Sequence, residues 1–568
     1  MASHPVNLAS ALTSLTARAA GLWRCEACGV TRTEAAIPAL VHTDAYVPTT
    51  SRTRVLLIGG LSGHPDDVTL ALSALDAYLN AAAPLSQAVA LSAVPVGNPN
   101  GLTQGVAPGN GAGGHPATGY PPEAQFYDDA QNPESRYLWR WVGLQAPDMV
   151  LEIRAGDATT WEVSEAAMPL ASSLAATALA PADSLLAALG SGAPNGLAAI
   201  PGIRLTTTSA ALPTQLARFW TLIAHPGTVS PSPARGVLDD RRQRSPLDIA
   251  RLLAEVYGHT LDPIVYTQGM AIEGRLRLAQ IDATGPNPSG AIARLVAPHV
   301  TDALSRLPED AAASTLGGLI WGPELTKATG DRRYADLLVQ VAERYRPDGG
   351  GGAPPPSDAN FRTEDMAMNG MLLGRAFALT GKAHYLELLT PFLLQARVQQ
   401  DNGLFWHCRS APYYWGRGNG FAAMGFCETL SYLPHDHHDR HALLAMHRRH
   451  LDALLACQHP SGMLPQVLHT PGAYQEFTVT CMVGYCLARG LGRGWLDATY
   501  RLALDLAWQG VTERIDATGG VVDACTNTGV QTSLRAYLDR PAIFGRDDRS
   551  GAMALWLALE MAQLSHEG

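Results

Sequence analysis

Glu364 and Asp365 are adjacent carboxylates at the start of an apolar stretch that runs to Leu379. A carboxyl group held at the start of a helix can transfer protons in catalysis when its surroundings adjust its pKa. The same two residues can also, with Thr363, simply cap the helix and complement its dipole, and the spacing alone favours that structural role. Acid–base chemistry at this position therefore needs support from residues elsewhere in the chain.

Cysteines and histidines are the other residues with ligand chemistry. Cys25 and Cys28 form a Cys-x-x-Cys pair, but no second pair lies nearby to complete a tetrahedral metal site. Six histidines crowd a loop and the helix that follows it: His435, His437, His438, His441, His447 and His450. Because the apolar positions of that helix place the histidines mostly on its solvated side, we predict no metal site at either place.

The elements that carry these residues follow two different patterns, which meet near Gly285. From 54 to 205, short apolar runs alternate with helical stretches, as in an α/β sheet. The predicted strands are 55–58, 88–96 and 149–153, and the predicted helix after the first strand is 67–79. From 291 onward amphipathic helices follow one another, which indicates an all-α domain.

Two similar segments of the second half, Thr329-Gly330 and Thr380-Gly381, each end one predicted helix shortly before the next begins. Their glycines are 51 positions apart, a spacing that suits two helices and two loops. Helical hairpins of this kind bury their apolar faces only against neighbouring hairpins. We therefore expect a closed ring of hairpins.

The composition is that of a globular, multidomain protein. The 568 residues exceed what one hydrophobic core usually accommodates, and 46% are hydrophobic while 16% are charged. The net charge of −10, without a basic block, argues against nucleic acid and anionic membranes as partners. No apolar run is long enough to span a membrane, the first 24 residues do not resemble a signal peptide, and the cysteines are typical of a reducing compartment. We therefore expect a cytoplasmic protein.

Four segments of the first half resemble the zinc carboxypeptidase and deacylase family: 55–63, 94–101, 136–141 and 147–154. In that family a Gly-Gly-x-His-Gly-x-Glu pattern and a later histidine hold a catalytic zinc ion. The corresponding residues here are Ser62, Pro65 and Arg154, which do not suit zinc, so the resemblance implies an α/β domain without its metal site. Three neighbours offer an unorthodox alternative: His64, Asp66 and Asp67. Carboxylates are, however, common first-turn residues of helices.

Three segments of the second half resemble sugar-cleaving enzymes. The stretch 365–373, Asp-Met-Ala-Met-Asn-Gly-Met-Leu-Leu, resembles the Asp-x-Met-Met-Asn-x-x-Leu-Leu stretch of the unsaturated glucuronyl hydrolases, glycoside hydrolase family 88. Gly-Leu-Phe-Trp-His at 403–407 and Trp-Gly-Arg-Gly-Asn-Gly-Phe at 415–421 resemble motifs shared with family 105, the unsaturated rhamnogalacturonyl hydrolases. With weaker matches farther on, the resemblance covers about residues 290–565.

The resemblance implies a role for each of seven residues. Asp365 is the implied general acid and base. The implied substrate-binding residues are His407, Trp415, Arg417, Asn419, Gln466 and Glu476. An indole face for a sugar ring, a guanidinium fork for a carboxylate and a turn lined by glycine suit a uronate pocket, although Trp and Gly also pack buried structural turns.

The fold implied by the resemblance is an (α/α) barrel whose central cleft binds a nonreducing-end unsaturated uronic acid. Asp365 would protonate the ring alkene at carbon 4 and deprotonate the water that adds at carbon 5, after which the hemiketal opens and releases the remaining sugar. This hydration does not require the paired-carboxylate geometry of ordinary glycosidases. The resemblance implies no metal and no organic cofactor.

Two positions depart from the family pattern. Family 88 has a second aspartate in an earlier helix start, where this chain carries Thr315, and Phe421 replaces a customary tryptophan. The candidates for the missing carboxylate are Glu364, Asp358 and Glu476. These departures leave open cleavage of a saturated glucuronide in the same cleft.

The predicted layout has an N-terminal extension at 1–49, a degenerate carboxypeptidase-like α/β domain at 50–285 and an (α/α) barrel at 286–568. The expected partner is an oligosaccharide with a terminal uronic acid, and a homo-oligomer is left open. Two other functions also remain open: a metallopeptidase or amidohydrolase with unorthodox ligands in the first domain, and a sugar-binding protein without turnover.

Overall fold

The computed structural model describes residues 8–81, 83–122, 127, 129–194, 196–347, 352–395 and 398–567, apart from the side chains of 83, 301–306, 566 and 567. The chain forms two compact units. The first consists of Met1–Arg242 and Thr470–Tyr474, and the second of Gln243–His469 and Gln475–Gly568.

The first unit is built on one mixed sheet. Its strands are β1 (Trp23–Val30), β2 (Ala36–His42), β3 (Thr53–Ile58), β4 (Val89–Val94), β5 (Met149–Ala155), β6 (Thr160–Val163), β7 (Thr177–Ala178) and β8 (Gly202–Thr207). Their order in the sheet is β1-β2-β4-β3-β5-β8-β6-β7. The central strands β4, β3, β5 and β8 are parallel, and β4, whose sequence is apolar apart from Ser92, is buried at every position, as is typical of a central strand of a parallel sheet.

Nine α-helices accompany this sheet. They are α1 (Leu8–Arg18), α2 (Pro65–Leu79), α3 (Ala83–Ala88), α4 (Pro99–Gln104), α5 (Pro133–Gln145), α6 (Ala171–Leu174), α7 (Leu185–Ser191), α8 (Leu212–Ile223) and α9 (Pro233–Arg242) among the described residues. The predicted strands at 55–58, 88–96 and 149–153 and the predicted helix at 67–79 correspond to β3, β4, β5 and α2.

The second unit is helical. Its helices are α10 (Pro246–Val256), α11 (Tyr266–Ile281), α12 (Ser289–Arg306), α13 (Ala313–Leu316), α14 (Gly322–Thr329), α15 (Arg333–Ala342), α16 (Thr363–Thr380), α17 (His384–Leu394), α18 (Gly416–Tyr432), α19 (Arg440–Leu455), α20 (Phe477–Gly492), α21 (Arg501–Glu513), α22 (Leu534–Leu538) and α23 (Asp548–Glu567). Two short antiparallel pairs join them: β9 (Leu464–Pro465) with β10 (Gln475–Glu476), and β11 (Val521–Cys525) with β12 (Ala542–Gly545).

Six segments of this unit form a closed ring. The helix α11 packs on α23, α23 on α20, α20 on α18, α18 on α16 and α16 on α13, whose 3₁₀ continuation Gly317–Leu319 returns to α11. The predicted hairpin turns lie where α14 and α16 end, and Gly330 and Gly381 follow them with positive φ.

The boundary between the units differs from the predicted position at 285. The helices α10 and α11 precede that position but pack on α23, where the Trp556 indole donates to the Met270 carbonyl oxygen at 2.9 Å. The predicted N-terminal extension at 1–49 also differs from the structure, since β1 and β2 pair within the sheet of the first unit. Apolar patterns alone could not assign these segments, because the contacts that fix them are distant in sequence.

Buried ion pairs join five helices of the ring at the opposite end of α16 from its first turn. The participants are Glu273, Arg277, Arg375, Glu428, Arg489 and Glu560. The Nη1 of Arg375 lies 2.6 Å from Oε2 of Glu428, and Nη1 of Arg489 lies 2.7 Å from Oε1 of the same carboxylate. Such a network fixes the register of neighbouring helices because an unmatched charge there would remain desolvated.

Among the described residues, no helix combines the length and the apolar character needed to cross a membrane.

Candidate active site

Asp365 lies in the first turn of α16 and is 8% exposed. The backbone N–H of Asp358 donates to its Oδ2 at 2.7 Å. Burial raises the pKa of Asp365 to about 7, against the effect of this hydrogen bond and with a further contribution from the negative charge of Glu364. A carboxyl group with this pKa can both donate and accept a proton near neutral pH.

The pKa of the preceding residue, Glu364, is shifted in the opposite direction. Its Oε1 lies 3.2 Å from Nε2 of His407 and accepts a hydrogen bond from Nη2 of Arg362 at 2.8 Å. Although burial acts to raise the pKa of Glu364, His407 and Arg362 lower it to about 2. Two adjacent carboxylates with pKa values moved in opposite directions can act as a proton donor and a fixed negative charge.

His407 connects Glu364 to a residue from a distant part of the chain. Its Nδ1 lies 2.6 Å from the hydroxyl of Tyr537, which belongs to the short helix α22. The backbone N–H of Gln531 donates to the same hydroxyl at 3.2 Å. The His407 carbonyl also accepts from the N–H of Thr363 at 3.1 Å, which ties the histidine to the start of α16.

Trp415 and Arg417 pack against each other beside His407. The Trp415 ring lies 4.5 Å from the His407 ring, and the Arg417 guanidinium lies 4.8 Å from the centre of the indole. The Nη atoms of Arg417 donate to the carbonyl oxygens of Cys525 and Thr526. Trp415 is 1% exposed, so both predicted binding residues are buried beneath the site, and Arg417 is committed to the backbone through two of its nitrogens.

Asn419 organises the loop that carries His407. Its Oδ1 accepts from the Phe405 N–H at 2.8 Å, and its Nδ2 donates to the Phe405 carbonyl at 2.9 Å. The Nε2 of His450 lies 3.2 Å from the same Oδ1. Asn419 therefore positions the backbone two residues before His407.

Gln466 and Glu476 hold neighbouring segments. Gln466 donates through Nε2 to the Tyr537 carbonyl at 2.8 Å. Glu476 caps α20: it accepts from the N–H groups of Thr478 at 3.0 Å and Val479 at 2.7 Å, and also from the N–H of Cys525 at 2.8 Å. Both side chains are fully buried in these contacts.

Several buried polar atoms around Asp365 have no hydrogen-bond partner within the described part of the chain. They are Nε of Arg362, Oγ1 of Thr363, Oε2 of Glu364, Nε1 of Trp415, Nε of Arg417, Oε1 of Gln466 and the hydroxyl of Tyr345. Buried polar atoms without partners are rare in folded proteins, and each has a desolvation cost. Buried atoms without partners also occur elsewhere in the described structure, but those named here lie on the predicted site residues and their neighbours, where a polar ligand could supply the missing partners.

Three residues around Asp365 and Glu364 were not predicted as site residues: Arg362, Tyr345 and Tyr537. Arg362 lies two positions before Glu364 and three before Asp365, and its position close to these two carboxylates in the sequence was the signal that could have found it. Tyr345 lies near Asp365, whose charge adds to burial in raising the pKa of the tyrosine. Tyr537 lies within the short helix α22 and Tyr345 follows α15, with no motif around either, so the sequence offered no signal for them.

These residues lie in a region with known relatives. Residues 365–565 match the family described as Glycosyl Hydrolase Family 88. An unsaturated 3S-rhamnoglycuronyl hydrolase of Alteromonas sp. (strain LOR) is 26% identical over 127 residues, which is 22% of this chain and 29% of the relative. The alignment thus spans less than a third of that relative's length.

Solved structures of similar proteins cover somewhat more than half of this chain. A family 105 glycoside hydrolase of C. acetobutylicum has a TM-score of 0.47 and 17% identity over 55% of this chain and 99% of its own. A possible family 105 member from Klebsiella pneumoniae has a TM-score of 0.48 and 20% identity over 58% and 94% of the two chains. The unsaturated glucuronyl hydrolase of Bacillus sp. GL1 has a TM-score of 0.43 and 15% identity over 58% and 96%.

All seven predicted site residues fall within the region that matches family 88, whereas Thr315 lies outside it. Thr315 is on α13, which packs on α16, and it is half-buried. Of the candidates for the missing carboxylate, the Asp358 side chain is exposed and Glu476 caps α20. Glu364 alone among the three candidates lies beside Asp365 with an unpartnered carboxylate oxygen in the described structure.

In the first unit, hydrogen bonds and an ion pair involve residues at the positions where the carboxypeptidase family has its zinc ligands. Ser62 donates to Oδ2 of Asp67 at 2.5 Å, and Oδ1 of Asp67 accepts from the N–H of Ala155 at 2.8 Å. The Nε of Arg154 lies 2.5 Å from Oε1 of Glu152. His64 is the N-cap of α2, so these side chains are engaged in contacts that stabilise the carboxyl ends of β3 and β5.

The histidine-rich segment differs in part from its prediction. His435, His438 and His441 are exposed, but His447 and His450 are fully buried, because α19 turns them toward α18 together with its leucines. A ligand atom of each of His437, His438 and Asp439 lies within 4.8 Å of the other two. The hydroxyl of Thr390 donates to that aspartate at 2.6 Å.

Proposed function

We propose that the second unit is a glycoside hydrolase that removes a nonreducing-end unsaturated uronic acid from an oligosaccharide. The observation that carries this proposal is Asp365 at the start of α16, buried, with a pKa raised to about 7 and beside an ionised carboxylate. The match of residues 365–565 to family 88 supports the proposal, as does the relative that acts on an unsaturated rhamnoglycuronyl substrate.

The proposed reaction is the addition of water to the ring alkene. The Asp365 carboxyl group donates its proton to carbon 4, which leaves positive charge shared between carbon 5 and the ring oxygen. The resulting carboxylate takes a proton from a water molecule as its oxygen bonds to carbon 5. The hemiketal at carbon 5 then opens to a ketone, and the former ring oxygen becomes a hydroxyl group on carbon 1. Carbon 1 is now a hemiacetal, which collapses to an aldehyde and releases the remaining sugar as an alcohol. One water molecule is consumed, and Asp365 ends the cycle protonated.

The predicted binding residues act in this proposal mainly by shaping the pocket. Arg417 keeps Nε for a ligand, and Trp415 keeps its indole N–H, since neither atom has a partner in the described structure. Arg362, whose side chain is 34% exposed, is the cation best placed to meet a uronate from the solvent side. Asn419, Gln466 and Glu476 hold the backbone around these groups.

We also propose a fold for each of the two units. The closed ring of α11, α13, α16, α18, α20 and α23 supports an (α/α) barrel. For the first unit we propose a degenerate carboxypeptidase-like domain without peptidase activity, supported by its mixed sheet and by the Ser62–Asp67–Ala155 contacts at the ends of two central strands. Stoichiometric zinc in the purified protein would contradict the second proposal.

Loss of alkene absorbance tests the proposed reaction. The purified protein is incubated with a panel of unsaturated uronyl disaccharides, and the absorbance of the ring alkene is followed over time. We expect loss of absorbance with at least one member, and at least a 100-fold slower reaction in Asp365→Asn, since general acid catalysis contributes about 10²–10⁴-fold. Glu387→Gln, a change at an exposed position on α17, serves as the matched control. Folded protein that converts no member of the panel refutes the proposal.

A second candidate is direct cleavage of a saturated glucuronide. Thr315 in place of an aspartate and the opposite pKa shifts of Glu364 and Asp365 favour it, since ordinary glycosidases pair a carboxylic acid with a carboxylate. Release of alcohol from an aryl glucuronide, without activity on any unsaturated uronide, would select this alternative. Binding of oligosaccharides without product from either substrate class would instead indicate a sugar-binding protein.

A further inference from the structure

The two carboxylate oxygens of Glu364 have different surroundings. Oε1 is fixed by two donors, Nη2 of Arg362 at 2.8 Å and Nε2 of His407 at 3.2 Å. Oε2 is buried and has no partner among the described residues, although the side chain as a whole is 15% exposed. One oxygen therefore orients the group, and the other keeps an unused capacity to accept a hydrogen bond.

The orientation of Glu364 is supported by a directional chain of hydrogen bonds. A carboxylate can only accept, so the imidazole proton lies on Nε2 of His407, and in the neutral ring Nδ1 is then the acceptor. The hydroxyl of Tyr537 donates to that Nδ1 over 2.6 Å and itself accepts from the Gln531 N–H over 3.2 Å. This series of hydrogen bonds begins at the backbone N–H of Gln531 and ends at the Glu364 carboxylate, so each of its donors has an acceptor.

The other acidic candidates lack this arrangement. Asp358 contacts Asp365 through its backbone N–H, and its own side chain accepts from the Asn360 N–H and is exposed. Glu476 uses both oxygens for the first turn of α20 and for Cys525. Glu364 is thus the carboxylate that can face the same ligand as Asp365.

We propose that Glu364 is the second carboxylate of the active site, and that its Oε2 faces the bound sugar ring. This inference rests on the proposed hydration. Glu364 stays ionised throughout the cycle and stabilises the positive charge that develops at carbon 5 and the ring oxygen as Asp365 delivers its proton. His407 and Tyr537 are positioning residues that act through Glu364. Glu364 thus supplies a second carboxylate from the residue next to the proposed acid, in a chain that carries Thr315 where the family pattern has an aspartate.

A variant without the Glu364 charge has two measurable consequences. The developing cation loses its counter-charge, which lowers kcat more than it changes KM, because the interaction is strongest in the transition state. Asp365 also loses a neighbouring negative charge that raises its pKa, so the variant loses activity at lower pH than the wild type does. A residue that only supported the fold would not move the pH profile.

The test is the pH dependence of kcat and KM for the full chain on an unsaturated uronide that the wild type converts. We expect Glu364→Gln to lower kcat by about 10²–10³-fold, with a similar KM and a pH limit displaced to lower pH. Glu364→Asp keeps the charge but withdraws the oxygen by one methylene, so we expect a kcat at least tenfold lower and a pH limit near that of the wild type. Tyr537→Phe should give a smaller loss in the same direction. Glu387→Gln is the control for an exposed glutamate.

A kcat within about threefold of wild type in Glu364→Gln overturns the inference, as does an unchanged pH limit in that variant. If Glu364→Gln does not fold, a wild-type kcat in Glu364→Asp overturns it. Full turnover by Asp365→Asn, or no conversion of any unsaturated uronide by the wild type, is a different result and refutes the proposed hydration itself.

Discussion

The Nε2 of His407 lies 3.2 Å from Oε1 of Glu364, although the two residues are 43 positions apart in the chain. The contact joins the loop before α18 to the first turn of α16. Together with Arg362, this contact lowers the pKa of Glu364 against the effect of burial. Among the described residues no ion pair reaches the neighbouring Asp365, whose pKa burial raises, and the contrast between the two carboxylates is the electrostatic basis of the proposed site.

Activity should fall as the pH rises through about 7, because in the proposed reaction Asp365 must be protonated to donate a proton to the alkene, and burial raises its pKa to about that value. Above this pH the protonated fraction decreases tenfold per pH unit, and kcat/KM should decrease with it. A pH–rate profile of the wild type on an unsaturated uronide measures the effect. Activity that stays constant to pH 9 would show that a group other than Asp365 supplies the proton.

His407→Gln should lower kcat by at least tenfold. The amide can still donate to Glu364, but it cannot also accept from the Tyr537 hydroxyl in the geometry of the imidazole, so Glu364 is held less rigidly. The measurement is kcat and KM at pH 6, with thermal unfolding as a check on the fold. His459→Gln, which changes a histidine beside Ser461 in another loop of the same unit, is the control.

The sequence predicted Asp365 as the acid, but it did not predict most of the residues that surround this carboxyl group in the structure. Asp365 and the motif at 415–421 were recognised because local residue patterns carry them. Asn419 and Glu476 were predicted to bind substrate, and in the structure both side chains hydrogen-bond to the backbone. The sequence could not reveal these contacts, because a buried amide or carboxylate has the same sequence signature whether it binds sugar or backbone. Tyr537 was missed because its contact with His407 spans 130 positions and no local pattern encodes it.

The same limit explains the fold. Local periodicity was sufficient for β3, β4, β5 and α2 and for the turns at Gly330 and Gly381. It was insufficient for the boundary near 285, which depends on the packing of α10 and α11 against a helix almost 300 positions later. It was also insufficient for His447 and His450, whose burial depends on how α19 faces α18.

Glu476→Ala should destabilise the helical unit by about 2–4 kcal/mol, because the change removes an N-cap and leaves buried N–H donors without acceptors. Three backbone N–H groups depend on this carboxylate: those of Thr478, Val479 and Cys525. Denaturant unfolding followed by tryptophan fluorescence measures the change, with Glu387→Ala as the exposed control. A difference below about 0.5 kcal/mol between the two variants would contradict the capping role.

Arg375→Met should be more costly, at about 3–5 kcal/mol, since removal of one partner from a buried ionic network leaves an unmatched charge. Arg375 lies 2.6 Å from Glu428 and 3.5 Å from Glu273. The double variant Arg375→Met with Glu428→Gln should recover part of the lost stability. In the single variant the buried Glu428 carboxylate has lost its Arg375 partner, and the second change removes that unmatched charge. Equal unfolding midpoints for the single and double variants would show that the two residues are not coupled.

The buried histidine His447 should make stability depend on pH between about 6.5 and 3. Burial, with a smaller contribution from Arg448, lowers its pKa from 6.5 to about 3 in the folded protein. Below pH 6.5 the unfolded chain takes up a proton at this residue and the folded chain does not, so stability falls as the pH falls and the effect is complete near pH 3. Between pH 6.5 and pH 5 one such group contributes roughly 2 kcal/mol.

His447→Phe removes this proton uptake while an aromatic ring still packs against Phe426, whose ring centre lies 5.9 Å from that of the histidine. The loss of stability between pH 7 and pH 5 should therefore be smaller in the variant than in the wild type, measured by denaturant unfolding at both pH values. His441→Phe, at an exposed position of the same helix, should retain the wild-type dependence. Because burial also lowers the pKa of His450, some dependence should remain in His447→Phe and decrease further in the double variant with His450→Phe.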